Sequence, residues 1–371
     1  MLIASCLVLF SLLFVSSSVI AFATSPLNKT YGGAKDDAAY SILNSSDGGY
    51  VLAGYTKSFG VGGMDVWLVN SSGQMIWNKT YGGTGDDVAY SLIQAGNGEF
   101  VFAGYSASFG MGGSDVWLVK TDSAGNVEWN QTYGGEGQDE SFSVVQANDG
   151  GYLVAGSTNS SGAGQNDFWL VKTEVNGKIS WNQTYGGVGE EVARSVVQAS
   201  DGGYTVTGYR RSLNASAYDI WVVKTDSAGV MLWNKTFGGA GHDGAFSILQ
   251  TSDGGYALAG GTVSSSANRS DVWLVKIDSF GSMQWNRTFV GNSPEAATSL
   301  IQTSDGGYAI AAITESYGAG SQDGWLIKTD AVGGMTWNQT YGKAGSDAAN
   351  AVVQTSDGGY ALAGFMQSDC W

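Results

Sequence analysis

One pattern governs the chain. Asn-x-Thr-(Tyr/Phe) begins at Asn28, Asn78, Asn130, Asn182, Asn234, Asn286 and Asn338, with a first step of 50 residues and then five steps of 52. Seven copies of one unit force a repeat architecture, because each unit is too small to bury its apolar face alone and must stack on its neighbours.

Each unit carries four short β patterns. Strand A is the aliphatic run seen at Ala193 to Gln198, and strand B is Gly-Tyr followed by small aliphatics, as at Gly151 to Gly156. Strand C is Asp-x-Trp-Leu-Val-Lys, as at Asp115 to Lys120, and strand D is x-x-x-Trp-Asn-x-Thr-Tyr, as at Val127 to Tyr133. All are rich in β-branched and aromatic residues and bounded by Gly, Asp and Asn clusters. No stretch beyond residue 23 has a helical apolar period. Four strands per unit and seven units predict an all-β fold, a seven-bladed β-propeller of four-stranded antiparallel blades around a central channel.

The chain resembles the secreted propeller-repeat proteins of archaea and bacteria over residues 26–371. The resemblance rests on Thr-Tyr-Gly-Gly-x-Gly-x-Asp, Asp-Gly-Gly-Tyr, Asp-x-Trp-Leu and Trp-Asn as they stand here. It implies the fold and little about activity. The turn Asp122 to Trp129 also resembles the tryptophan-docking turn of quinoprotein propellers, which implies blade-to-blade packing rather than a quinone.

Residues 1–23 are uncharged and mostly apolar and end in Ala21-Phe22-Ala23, a small-x-small pattern. They read as a secretion signal, with an uncleaved anchor as the alternative, and they place the propeller of residues 24–371 outside the cell or on its surface. No later run is apolar enough to span a bilayer. With Cys6 in that segment, Cys370 stands alone, so no intrachain disulfide or cysteine metal centre is expected. The chain holds 17 Lys+Arg against 33 Asp+Glu, which argues against nucleic acid as a partner.

All 13 Trp residues fall in two repeat positions, one in strand C and one in strand D, as expected of packing rather than ligand stacking. The N-terminal Leu27-Asn28-Lys29-Thr30-Tyr31 aligns with strand D, and the chain ends in Asp369-Cys370-Trp371, the opening of a strand C. Blade seven is therefore expected to be a composite whose outer strand comes from the N-terminus. Twelve Asn-x-Ser/Thr sequons, seven of them the motif Asn, mark a candidate glycoprotein.

Seven residues after each motif Thr stands an acid: Asp37, Asp87, Asp139, Glu191, Asp243, Glu295 and Asp347. Just before the innermost strand, these carboxylates are expected at the channel mouth. They would either ring a cation such as Ca²⁺ or accept N–H bonds from their own Gly-rich loops. The strand C acids read as structural.

Departures from the repeat are the functional lead. Arg194 replaces a Tyr or Phe in strand A, Arg210 and Arg211 replace small residues, and His242 is the only histidine. Glu140 and Asn350 are further polar departures. Arg194, Arg210, Arg211, Asp139, Glu191 and His242 form a candidate anion- or carbohydrate-binding sector on the Gly-rich face, where the D-to-A and B-to-C loops open together. One His and no nucleophile elbow argue against a Ser-His-Asp hydrolase. The expected function is a non-enzymatic scaffold binding carbohydrate or protein at the cell surface. The alternative is an extracellular polysaccharide lyase or glycosidase.

Overall fold

In the computed structural model, residues 8–10, 28–45, 48–72, 74–211, 217–263 and 269–367 are described. Six four-stranded antiparallel blades follow one another in chain order. Blade one comprises Asp37–Asn44, Tyr50–Thr56, Asp65–Ser71 and Met75–Tyr81 as strands A to D. Blades two to six repeat this order through Tyr341, with strands of seven to nine residues. Among the described residues no helix is long and apolar enough to cross a membrane.

The expected seventh four-stranded blade is not there. Six blades are complete, and among the described residues the seventh sheet has only strand A, Asp347–Gln354, and strand B, Tyr360–Met366, edged by the three residues Val8–Phe10. The N-terminal residues 28–36, expected to begin with an outer strand, contain no strand. The reason is register. In every complete blade strand D pairs only with strand C, and among the described residues no such strand C stands beside residues 28–31. Leu27 and the expected Asp369-Cys370-Trp371 stub lie outside the described residues. Val8–Phe10, within the segment expected as a leader, pairs with strand B of the seventh sheet.

The ring nevertheless closes. Strand A of each blade packs on strand A of the next, and strand A of the seventh sheet packs on that of blade one. A Ser in strand A accepts the N–H of the next blade's strand A at every step from Ser41 with Leu92 (3.2 Å) to Ser299 with Val352 (3.4 Å). At the junction, the amides of Asn44 and Asn350 donate to the carbonyls of Gln354 and Ala39, each at 2.9 Å.

Tryptophan fills the spaces between blades, as its position in the repeat requires. The strand D indole of one blade packs on the first aromatic of the next blade's strand B, from Trp77 on Phe100 (6.1 Å between centroids) to Trp337 on Tyr360 (5.8 Å). Each such contact stabilises the ring by about 2–3 kcal/mol of apolar burial. The strand C Trp is buried and donates its indole N–H to the motif Asn of the same blade, as Trp117 does to Asn130 at 3.3 Å. That pairing explains why the strand C Trp and the strand D Asn recur together in each unit. The C-to-D turn seats the preceding blade's indole on a glycine. At Gly229 (φ +81°) a Cβ would lie 2.7 Å from Trp181, so both backbone and contact demand Gly.

Candidate functional site

Strand A carries a β-bulge at the same position in all seven sheets. The pairing of A with B skips Tyr40, Tyr90, Phe142, Arg194, Phe246, Thr298 and Asn350. A bulge leaves one residue unpaired and re-aims its side chain. Here the re-aimed groups meet from blade to blade around the axis. Tyr40 and Tyr90 lie 5.0 Å apart by ring centroid, and Tyr90 and Phe142 5.1 Å. The Arg194 guanidinium sits 4.2 Å from the Phe142 ring and 5.6 Å from Phe246. The Thr298 hydroxyl donates to the Ala349 carbonyl at 2.6 Å. The result is a half-buried collar of four aromatic rings, broken by the Arg194 cation and completed by the polar Thr298 and Asn350.

Beside that cation lies a cavity of about 270 Å³, bounded by Tyr90, Glu140, Phe142, Glu190, Arg194 and Tyr209, with Gln138 and Asn166 at its rim. Glu140 and its strand B partner Ser157 both break the repeat. Other blades place Ala38, Val88, Val192, Gly244, Ala296 and Ala348 at the Glu140 position. Burial raises the Glu140 carboxyl above its ordinary range, with Arg194 pulling it back. Arg194 forms no ion pair among the described residues, and its buried Nε has no acceptor there. A caged guanidinium with an unused N–H and a carboxyl raised by burial therefore face one small space.

The sequence-derived sector is brought together only in part. Arg194 lines the cavity. Arg211 and His242 reach its flank through Tyr218, whose hydroxyl donates to Glu190 at 2.7 Å. The Tyr218 ring lies 5.6 Å from the Arg211 guanidinium and 5.2 Å from the His242 ring. Arg210 turns away: its guanidinium covers the Trp221 ring at 4.7 Å and sits 3.9 Å from Glu191. Asp139 and Glu191 are buried and face their own loops.

The same holds around the ring of acids. Backbone N–H groups of the D-to-A loops donate to Asp37 (Gly33, 2.8 Å), Asp87 (Gly83, 2.9 Å), Asp139 (Gly135, 2.9 Å) and Glu191 (Gly187, 2.9 Å). Gly239, Gly291 and Lys343 do so for Asp243 (2.8 Å), Glu295 (3.1 Å) and Asp347 (2.6 Å). Hydroxyls from strand B ends and the following loops add to them, as Ser108 does to Asp87 at 2.6 Å. The strand C acids behave alike, Asp115 accepting from Met111 N–H at 2.8 Å. Each carboxylate thus organises a Gly-rich loop. Among the described residues no group of three or more His, Cys, Asp or Glu is arranged to hold a metal.

Reasoning on single substitutions missed Glu190, Tyr209, Tyr218 and the aromatic collar. Aligning the residue ten positions after each motif Thr reveals the collar. What that alignment does not reveal is the bulge that turns it inward.

No family model and no curated protein matches the chain. Solved structures do. The Pan2 WD40 domain of Neurospora crassa superposes with a TM-score of 0.53 at 10% identity, covering 88% of this chain and 89% of that one. PorZ, a surface component of the type-IX secretion system of Porphyromonas gingivalis, gives 0.52 at 12% identity over 92% of this chain and 48% of that one. A PL25 ulvan lyase, solved bound to -[GlcA(1-4)Rha3S]-, gives 0.51 at 10% identity over 88% and 94%. At such identities the likeness carries the fold alone, and the fold is that of a β-propeller repeat protein.

Proposed function

We propose that this propeller is an extracellular binding scaffold that takes a saccharide unit at the axis mouth of blades three and four. The observation that carries the reading is Arg194, caged by Phe142 and Phe246 beside the raised carboxyl of Glu140. Aromatic faces suit the C–H faces of a sugar ring, while Arg, Glu, Gln and Asn offer donors and acceptors to its hydroxyls. A space of about 270 Å³ fits one ring better than a drug-sized ligand, which wants about 300–1,000 Å³. Secretion and rim glycosylation belong to this reading. The motif Asn side chains from Asn78 to Asn338 are exposed on strand D.

The second reading, a lyase or glycosidase, is favoured by the Glu140 carboxyl alone, since general acids in such enzymes are raised by burial. A glycan array followed by product analysis separates the two. Saccharide retained without new reducing or unsaturated ends supports a scaffold. Turnover supports the enzyme, and no saccharide bound at all sinks both.

A further inference from the structure

In the complete blades strand B is paired along its whole length by strand C. In blade six Tyr308 to Thr314 face Thr329 to Asp323 without a gap. In the seventh sheet only Tyr360, Ala361 and Leu362 are paired on that side, by Phe10, Leu9 and Val8. Those three residues stand where Thr329, Lys328 and Ile327 stand in blade six, and they run in the same direction. The edge therefore accepts a strand in the register of strand C. Among the described residues no strand pairs with the rest of it, Ala363 to Met366. A cavity of about 720 Å³ opens there, walled by Leu52, Trp67 and Val69 of blade one and by Leu362, Ala363 and Phe365.

Charge marks the same vacancy. In blades three to six the Asp of the A-to-B turn holds the strand C lysine: Asp149 with Lys172 (2.7 Å), Asp201 with Lys224 (2.8 Å), Asp253 with Lys276 (2.9 Å) and Asp305 with Lys328 (2.8 Å). Asp357 occupies that place in the seventh sheet. The Thr355 hydroxyl and Gly359 N–H fix its carboxylate, and no Lys or Arg among the described residues pairs with it.

We propose that the seventh sheet is a strand acceptor, binding an extended polypeptide in the register of strand C. The peptide presents an aromatic residue at the place of Trp325, aliphatics at those of Leu326 and Ile327, and a lysine to Asp357. Main-chain bonds along an open edge supply affinity, and the flanking pockets and charge supply selection. The three-residue pairing with Val8–Phe10 is short enough for such a strand to displace.

The test titrates the intact chain with a labelled synthetic peptide of residues 321–331, SQDGWLIKTDA, read by fluorescence anisotropy. Saturable one-to-one binding is expected. Replacing the peptide's lysine by alanine weakens it about fivefold, as does Asp357→Asn in the protein, and the two together lose no more than either alone. Leu9→Pro in the protein, which breaks the resident strand, tightens binding several-fold. Absence of binding, equal binding of a scrambled peptide, additive losses at the two charges, or no gain from Leu9→Pro would each overturn the proposal.

Discussion

The guanidinium carbon of Arg194 in blade four lies 4.2 Å from the ring centroid of Phe142 in blade three. Both residues are the bulged positions of their strands, and five of the seven equivalent residues are Tyr, Phe or this Arg. The repeat thus builds an aromatic collar, and blade four replaces one ring with a charge. A charge held over rings gains about 0.5–2 kcal/mol, too little to explain the replacement by stability alone.

Arg194→Phe restores the collar and separates function from folding. The melting temperature is predicted to hold or rise by a few degrees, because the substitution returns the position to the repeat's own choice. Saccharide affinity is predicted to fall at least tenfold. Calorimetric melting and titration of the same preparation check both.

Asp115 of blade two and Asp139 of blade three enclose Gly134. A Cβ there would lie 2.1 Å from one carboxylate oxygen and 2.6 Å from the other. Gly134→Ala is predicted to cost about 1–3 kcal/mol through overpacking, read as a lower urea midpoint with an unchanged slope. A neutral outcome would mean that the two loops are loosely held.

Trp181 packs on Tyr204 at 6.1 Å between centroids and closes one inter-blade seam. Trp181→Ala is predicted to cost about 3–5 kcal/mol. Tyr185→Phe in the same seam removes the hydroxyl that donates to the Gly229 carbonyl at 2.5 Å and costs about 1 kcal/mol. Denaturant titration of the two variants measures the contrast.

Stability is predicted to peak near pH 4. Burial raises the carboxyls of Asp115, Glu140, Glu191, Asp219, Asp271, Glu295 and Asp347. The folded chain holds those protons to higher pH than the unfolded chain, so their contribution is full below the ordinary carboxylate range, about pH 4, and is lost as pH rises through the raised values. Asp253 and Asp305 act oppositely. Burial works against them, yet hydroxyls and the strand C lysines bring both down to about 2. Their contribution is present above the ordinary range and is lost as pH falls toward 2. Glu140→Gln should flatten the alkaline limb, and melts from pH 2.5 to 8 test the shape.

Most of the blade was legible because its period is simple. Strand D of blade two was placed at Val127 to Tyr133 and is found there, since Trp129 and Tyr133 alternate with polar neighbours on an edge strand. Strand A was read short, beginning at Ala193 where the strand begins at Glu190. The bulge at Arg194 breaks the two-residue alternation that marks a strand, and it also hid the collar. The seventh blade failed for a different reason. Alignment of Leu27 to Tyr31 with strand D was sound as pattern, but a strand forms only against a partner. Tyr31 still reaches blade one, its hydroxyl 2.5 Å from that of Ser71, without any ladder to join. At the site, Arg194 stood out as a substitution, whereas Glu190 occupies a position where acids are ordinary, as Asp36 and Asp86 show.

Hydrogen exchange of the intact chain with and without its saccharide tests the account most directly. The prediction is slowed exchange confined to residues 138–142, 190–194 and 209 at the axis mouth, absent in Arg194→Phe. Slowed exchange on the outer D strands, or identical footprints in the two proteins, would contradict a site built on that caged cation.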